Sequence, residues 1–471
     1  MLMRTFIRGS IVLFLVACNY FTSLTKLQAQ TDTKPILKNL SLNDLSGFKT
    51  VPQQWKIVED VSYDFNKPEK SVIKNGTGIL INIPKGRSES ILASNLEHNN
   101  LAIEFEFMLA KGSQTTMYLQ GRYAIKLNDS WSNQQTLPDA RINVCRAPGL
   151  WQKMTVFFQA PKFNNSGTKT DNAKFLKVEY NGVTIQENIE IKEPSINSPL
   201  KGEVANGPWV LAAGGAIAFK NIRYLQFENP ADVKDFMGSV PNENILDRQI
   251  IVTPQLKTIV QRCFIEYDHK KRTFCAAVGH PDKINYAIDL SQGALINFWK
   301  GGFIDATSMW TQRGETQIAV PLGSKFEISP SPAFAILSND KDKWPEKQSD
   351  KFKFKGYKVD VDGKPTFLYT VSNFSIEDKI EPQENGSLLT RIYRVSSGKD
   401  ANILWFKLAE GINIKQVEKD LYSINNSSYY IKYANDQSSK AILREAGVGQ
   451  ELIVPISGLK NQTEIKYSII W

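Results

Sequence analysis

The sequence predicts an all-β protein with more than one domain. Short segments in which apolar and polar residues alternate recur along most of the chain, separated by Gly, Pro, Asn and Asp. Such alternation is typical of strands with one face in a core, and this spacing is typical of sandwiches and barrels. A chain of 471 residues with 42% hydrophobic and 11% aromatic content can supply several cores.

The first half predicts a β-sandwich domain over residues 31–228. The Asn-Gly pair at 181–182 is a strong hairpin signal within it. Six segments carry the alternation most clearly: 77–83, 101–109, 118–127, 152–160, 175–185 and 216–227.

The second half is also β-rich, and the alternation is interrupted before it begins. We predict a linker over 229–250, with a brief helix after Pro230, because ADVKDFM lacks period-two alternation. Strand patterns then resume, and they predict a β-rich domain over 251–395 and a β-rich C-terminal lobe over 396–471.

The first 30 residues predict an export signal. Two basic residues precede the short apolar run GSIVLFLVA, which is too short to span a bilayer as a helix. LVAC, ending at Cys18, has the form of a bacterial lipobox, so we expect lipidation of Cys18 and anchoring in the cell envelope. Cleavage near Gln30, giving a soluble periplasmic or secreted product, is the alternative.

Charge and cysteine usage exclude some classes of function. The formal charge of +9 is spread along the chain without a basic block, so we expect no nucleic-acid partner. The three histidines have no ligand spacing and no haem signature is present, so we expect neither metal nor cofactor. Cys263 and Cys275 flank the polar turn DHKK, and folding this segment as a hairpin predicts either a cross-strand disulfide or two buried thiols.

The stretch YLQGRYAIKLND, residues 118–129, carries the candidate binding residues. As one strand it would place Tyr118, Gln120, Arg122 and Lys126 on one face, with Ala124 in their midst. Their hydroxyl, amide and cationic groups suit sugar hydroxyls, which both donate and accept hydrogen bonds. Two nearby tryptophans could add stacking surfaces for a sugar ring: Trp131 and Trp151.

The first domain resembles the secreted 3-keto-disaccharide hydrolases, a bacterial family with a concanavalin-like jelly roll. The resemblance extends over residues 40–227 and depends on an ordered set of pieces: the Trp55 segment, YLQGRY followed by Asp129, RAPGLWQ at 146–152, NGV at 181–183 and AFKNIRY at 218–224. It implies a jelly-roll fold and a 3-oxo-glycoside substrate that is hydrolysed or eliminated.

The sequence departs from the family at the positions that carry its chemistry. The family's Tyr-Glu-x-Gln-x-x-Asp strand keeps Tyr123 and Asp129 here but has Ala124 and Lys126. The family's Leu-Gln-x-His-Gly pattern has Ala212 and Gly214 in place of glutamine and histidine. Glycoside cleavage normally requires two carboxylates, so Asp129 alone would be a weak catalytic residue.

Three functions remain open at this point. The sequence favours an exported protein that binds carbohydrate or glycoside through its jelly roll, with weak or no catalysis. An active hydrolase or lyase with a rearranged site, using Asp129, Lys126 or the pair Glu104 and Glu106, is the second. A structural or interaction protein of the cell envelope is the third.

Overall fold

The computed structural model confirms the all-β class. It describes residues 36–471 apart from 69, 87, 132–142, 238–248, 312–316, 384–387, 398–402, 435–439 and 457–461. The expected export signal and Cys18 lie outside the described residues.

The first domain is a sandwich of two antiparallel sheets. The larger sheet has the order β12-β11-β8-β5-β14-β3-β2, with β1 on β14, and the smaller has the order β4-β13-β6-β7. The strands are β1 Lys38–Asn39, β2 Trp55–Tyr63, β3 Ser71–Asn82, β4 Ser90–His98, β5 Leu101–Leu109, β6 Gln114–Leu119, β7 Tyr123–Asn128, β8 Trp151–Gln159, β9 Lys162–Phe163, β10 Lys169–Asp171, β11 Ala173–Tyr180, β12 Val183–Ile191, β13 Gly207–Ala213 and β14 Ile217–Gln226.

Strand β5 shows how alternation builds this core. Ile103, Phe105 and Phe107 point between the sheets and join the main core cluster of the domain. Glu104 and Glu106 point outward from the larger sheet, where Glu104 pairs with Arg223 and with Lys153 at 3.2 Å, and Glu106 pairs with Lys220 at 3.4 Å. Both glutamates therefore form ion pairs on the outer face of the larger sheet, away from the smaller sheet.

The segment after the sandwich forms the brief helix that the sequence predicts. A 3₁₀ turn at Pro230–Val233 continues into an α-helical turn, α1, at Lys234–Met237. Asn229 caps it through a capping box with Asp232, and Pro230 occupies the first turn, where its missing N–H costs nothing. Among the described helices, none is long and apolar enough to cross a membrane.

The rest of the chain forms three further sheets. Their orders are β15-β19-β18-β17-β16 with β20 on β19, then β21-β26-β31-β30, then β22-β23-β24-β25-β32-β29-β28-β27. The elements are β15 Ile251–Val252, β16 Ile259–Tyr267, β17 Lys270–Gly279, β18 Ile284–Asp289, β19 Ala294–Asp305, α2 Thr307–Trp310, β20 Val320–Glu327, β21 Phe334–Ile336, β22 Phe352–Val359, β23 Pro365–Val371, β24 Phe374–Gln383, β25 Leu388–Ser397, β26 Leu404–Gly411, β27 Ile414–Glu418, β28 Leu421–Ile424, β29 Tyr429–Lys432, β30 Ile442–Ala446, β31 Gly449–Ile456 and β32 Gln462–Ile470.

Strands on both sides of residue 396 share one sheet and one core. Strand β25 pairs with β32 along its length, from Leu388 opposite Ile470 to Ser396 opposite Gln462. One hydrophobic cluster accordingly contains residues from β17 to β32. The predicted domain boundaries stay predictions, but residues 396–471 do not pack as an isolated lobe.

The sandwich and the second half meet through an apolar contact. Ala147 and Leu150 of the first domain share a buried cluster with Leu388, Leu421 and Ile470. Hydrogen bonds frame it: the Tyr430 hydroxyl donates to Pro148 O at 3.1 Å, and the Ser324 hydroxyl donates to Asn181 O at 2.9 Å.

The hairpin predicted around DHKK is present. Cys263 of β16 lies directly opposite Cys275 of β17, and both are buried. The two cysteines are free thiols in this structure, so the second of the two predicted states is the one observed. Burial raises the pKa of Cys263 to about 11 and also raises that of Cys275, which disfavours the reactive thiolates.

Candidate functional site

The stretch YLQGRYAIKLND is a hairpin, so the predicted single strand is wrong. Strands β6 and β7 pair through Tyr118 opposite Ala124 and Leu119 opposite Tyr123. Three residues connect the strands, and the first two, Gln120 at φ 51° and Gly121 at φ 68°, are the central residues of a turn closed by the Arg122 N–H on Leu119 O at 2.9 Å. Two successive positive φ angles define the turn that best suits the twist of a hairpin. Gln-Gly was the signal for it, although Gln rarely adopts this conformation.

Strand register assembles an outer face on the smaller sheet. Val210 of β13 lies opposite Tyr118 of β6 on one side and Ala93 of β4 on the other. Together with Ala124 and Ala212 these residues form a small cluster separate from the core between the sheets. The next row of the same face contains Ile91, Ala212, Thr116 and Lys126 in register.

The four positions that depart from the resembled family converge on this outer face. Ala124 and Lys126 are alternate residues of β7, so they point the same way. Ala212 and Lys126 both lie opposite Thr116, on its two sides. Gly214 follows β13 and donates its N–H to Gln114 O at 2.9 Å. The sequence patterns that named these positions thus describe one patch of surface.

Gln120 and Arg122, two predicted sugar ligands, are structural and lie off this outer face. The Gln120 side chain is fully buried and donates to His98 O at 3.0 Å and Ala205 O at 2.9 Å. Arg122 is 6% exposed and donates to the carbonyl oxygens of Gly202 and of Lys201, the latter at 3.1 Å. Both side chains therefore hold the 195–205 segment against the hairpin, since the turn redirects them away from the Tyr118 row.

His98 completes this buried support. Its ring is fully buried, Nε2 accepts the Gln120 N–H at 3.1 Å, and Nδ1 lies 2.8 Å from Asn99 O. A neutral ring with its proton on Nδ1 satisfies both contacts. Burial lowers the pKa of His98 to about 4, which keeps the ring in that neutral form.

Tyr118 lies at the covered end of the face. It is 6% exposed and donates its hydroxyl to Asn197 O at 3.2 Å, so the 195–205 segment partly covers it. Burial and, next, the Glu89 carboxylate raise the pKa of the Tyr118 phenol. A Cβ atom added at Gly214 would lie 3.8 Å from Glu89 Cγ. Glu89 is therefore an acidic neighbour of the altered positions, and no sequence pattern singled it out.

Lys126 and Asp129 have different surroundings. Lys126 is exposed on the outer face beside Thr116. Asp129 follows β7, and its carboxylate accepts the backbone N–H of Gly112 at 2.7 Å and of Trp131 at 3.3 Å. The aspartate that matches the family pattern thus closes a loop, a contact that the strand alternation did not predict.

The two predicted stacking tryptophans lie away from this face. Trp131 packs edge-on against Phe65 with ring centroids 5.5 Å apart, and its Nε1 donates to Trp471 O at 3.0 Å, at the junction with the second half. Trp151 is 8% exposed on the outer side of the larger sheet, where Lys220 Nζ lies 3.9 Å from its ring centroid. Their assignment as sugar-stacking residues of this site is therefore corrected.

Metal ligands do not converge in the described part of the chain, where no group of three His, Cys, Asp or Glu side chains is placed to hold an ion. The outer face instead offers one exposed ammonium, a threonine hydroxyl, an asparagine amide at Asn128 and the nearby Glu89. These groups can exchange hydrogen bonds with a polar ligand.

The sandwich is the part of the chain that a known protein family matches. The family model that matches the chain is the 3-keto-alpha-glucoside-1,2-lyase-like domain, over residues 41–224. This match covers most of the first domain, and the resemblance inferred from its sequence pieces is confirmed. No curated protein matches the chain.

Solved structures give distant likenesses. A protein of Parabacteroides distasonis assigned to the glycosyl hydrolases is 18% identical over 41% of this chain and 84% of its own, with a TM-score of 0.31. A second from the same organism is 14% identical over 40% of this chain and 100% of its own, with a TM-score of 0.26. The receptor binding domain of botulinum neurotoxin mosaic serotype C/D is 10% identical over 92% of this chain and 97% of its own, with a TM-score of 0.23.

Proposed function

We propose that the first domain binds a carbohydrate or glycoside on the outer face of the smaller sheet, with weak or no catalysis. One observation carries the proposal: the altered family positions meet on one patch and hold Ala124, Lys126, Ala212 and Gly214. Alanine and glycine side chains cannot transfer a proton, and the Asp129 carboxylate is engaged by backbone N–H groups. The residues that the family resemblance assigns therefore do not supply an acid and base pair.

The remaining polar groups suit binding. Thr116 offers a hydroxyl, Lys126 an ammonium and Asn128 an amide on one face, and Glu89 lies at its edge. A sugar hydroxyl can donate to the carboxylate and accept from the ammonium and amide. The apolar atoms of Ile91, which is 46% exposed, offer a surface for the ring.

A binding and turnover assay tests this function. A 3-oxo-α-glucoside and its unoxidised parent would be titrated by calorimetry, and sugar release would be followed in the same samples. We expect Thr116→Val and Lys126→Ala each to weaken binding by about fivefold, as loss of a hydrogen bond to a ligand does. Lys56→Ala, which removes an exposed lysine from the larger sheet, is the matched control and should leave affinity unchanged.

An active lyase or hydrolase is the second candidate, and Glu89 favours it. Its side chain lies beside position 214, where family members have histidine, and its charge acts on the Tyr118 phenol. Efficient release of product by the purified protein would overturn the proposal of weak or no catalysis. Loss of that release in Glu89→Gln, with binding retained, would then assign Glu89 as the catalytic carboxylate.

We also propose that the protein is exported and lipid-anchored through Cys18. The proposal is supported by the basic, apolar and LVAC segments of residues 1–18. In a bacterial host the full chain should enter the membrane fraction and incorporate labelled palmitate. Cys18→Ala should abolish labelling and release the protein, whereas labelling that persists would contradict the anchor site.

A further inference from the structure

The second half contains a cavity of about 430 Å³ that the first domain does not contribute to. It lies where the ends of β16 and β20 approach the β26–β27 connection and the β30–β31 hairpin. Its volume is in the range of small-molecule sites, which are typically several hundred Å³. The residues that carry the inference are Tyr267, Tyr429, Glu327, Glu410, Asn425 and Ile412.

Tyr429 lines the wall of the cavity. The residue is 4% exposed, and its ring packs edge-on against Phe326 with centroids 5.4 Å apart. Burial, followed by Tyr467, Glu410 and Tyr267, raises the pKa of this phenol, which places those groups around it. A phenol hydroxyl both donates and accepts, so Tyr429 can hydrogen-bond to a ligand in the cavity.

The cavity is acidic in composition but its charges are balanced. Glu410 also accepts hydrogen bonds from two serine hydroxyls, those of Ser329 and Ser331. Each of the cavity carboxylates has a cationic partner: Glu410 with Lys407, Glu451 with Lys407 at 2.9 Å and Arg444 at 2.6 Å, and Glu327 with Lys325 at 2.7 Å. Because these carboxylates are already neutralised, a ligand without charge fits the cavity better than a cation does.

The rim of the cavity combines apolar side chains with the side-chain amide of an asparagine. Ile412 is 77% exposed and Val448 is 99% exposed, although both line the cavity. Asn425 holds the rim in place, since its Oδ1 accepts the Ile412 N–H at 2.8 Å and leaves the side-chain NH₂ as a donor. A sugar ring presents the complementary surfaces, with one apolar face and a periphery of hydroxyls.

We propose that this cavity is a second saccharide-binding site, which takes one neutral sugar unit. The Tyr429 hydroxyl and the Asn425 amide donate to sugar oxygens, the Glu327 and Glu410 carboxylates accept from sugar hydroxyls, and Ile412 contacts the ring. The site does not depend on the function proposed for the first domain, because the two use different residues.

The full-length protein would be titrated with methyl α-glucoside, methyl β-galactoside and N-acetylglucosamine, using saturation-transfer NMR and calorimetry. At least one sugar should bind, and Tyr429→Phe and Glu327→Gln should each weaken its binding by about fivefold. Tyr369→Phe is the matched control, because it removes a buried tyrosine hydroxyl that lies outside the cavity. It should leave the affinity unchanged.

Lys56→Ala, at an exposed position of the larger sheet outside both proposed sites, should not alter this binding. Absence of binding by all three sugars would overturn the proposal. So would binding that Tyr429→Phe and Glu327→Gln leave intact. Binding of spermidine or Ca²⁺ that Glu327→Gln abolishes, without binding of any sugar, would assign the cavity to cations instead and overturn the saccharide site.

Discussion

At the scale of single residues, the surroundings of a polar side chain decide its role more than its chemical type does. Gln120 and Arg122 have side chains typical of sugar ligands, yet they bond to backbone carbonyls of the 195–205 segment. His98 joins them by accepting the Gln120 N–H. A buried polar side chain must find a partner, and the nearest backbone provided it.

The state of His98 predicts a loss of stability in acid. Its pKa is about 4 in the folded protein against an ordinary 6.5, so the unfolded chain binds the proton more tightly. The free energy of unfolding therefore receives its full contribution above pH 6.5 and loses it as the pH falls toward 4, by about 3 kcal/mol. Urea unfolding across this range measures the effect.

His98→Gln keeps an acceptor for Gln120 but cannot titrate, so it should flatten this part of the pH profile. His269→Gln is the control, because the His269 side chain is 97% exposed. A pH profile unchanged in His98→Gln would assign the acid sensitivity to other groups.

At the scale of elements, the β6–β7 hairpin decides which residues share the candidate site. The Gln120–Gly121 turn reverses the chain, so Tyr118 faces Ala124 across the ladder instead of following it along one strand. The 195–205 segment then packs on the turn, with Leu200 N donating to Gly121 O at 3.1 Å. The candidate site is consequently formed by four paired strands together with the segment that covers one end of them.

Gly121→Ala should destabilise the protein by about 1–3 kcal/mol. Its φ is 68°, and an added Cβ would lie 2.7 Å from Leu200 Cδ1 and 2.9 Å from Leu200 Cγ. Gly167→Ala isolates the backbone strain, because Gly167 has a φ of 79° with nothing within 4 Å of the added atom. Unfolding midpoints in urea compare the two. Equal losses of stability in the two variants would mean that the Leu200 side chain moves away from the added Cβ without an energetic cost.

At the scale of the whole molecule, buried charged side chains form contacts between strands, between sheets and between the two halves. Asp378 of β24 and Arg391 of β25 form a buried bidentate pair at 3.0 and 2.7 Å, and Arg391 also donates to Gly293 O at 2.7 Å. Lys300 of β19 reaches across to the first domain, where its Nζ lies 3.5 Å from Cys145 O.

Asp378→Asn should lower the free energy of unfolding by about 3 kcal/mol, because it leaves the Arg391 guanidinium buried without its counter-charge. Glu464→Gln is the matched control, since its pair with Arg394 is about half exposed on both sides. That change should cost less than about 1 kcal/mol. Equal effects of the two changes would contradict a special role for the buried pair.

Lys300→Met should raise the free energy of unfolding at pH 7 by about 1 kcal/mol or more. Burial lowers the pKa of Lys300 to about 8 from an ordinary 10.5. As the pH rises from 8 to 10.5, the folded protein has already released the Lys300 proton while the unfolded chain still holds it. The free energy of unfolding therefore increases over this range, and Lys300→Met should abolish that increase. Lys56→Met, at an exposed site, is the control. A loss of stability in Lys300→Met would show that its contact with the Trp471 ring, 5.1 Å from Nζ, outweighs desolvation.

The sequence by itself determined the all-β class, the sandwich and the departure from the family pattern at positions 124, 212 and 214. These follow from period-two alternation and residue identity, which are local properties. It could not determine that Gln120 turns the chain, because the left-handed conformation of a glutamine is stabilised by tertiary contacts rather than by its own preference.

Only the tertiary structure decided which side of each strand is covered. In the folded chain Arg122 is buried under the 195–205 segment, Trp131 lies at the junction with the second half, and Glu89 lies beside Gly214. Alternation says which side chains share a face, but the burial of that face depends on segments distant in the chain. For the same reason the second-half cavity, formed by residues from 267 to 451, has no signature in any one stretch of sequence.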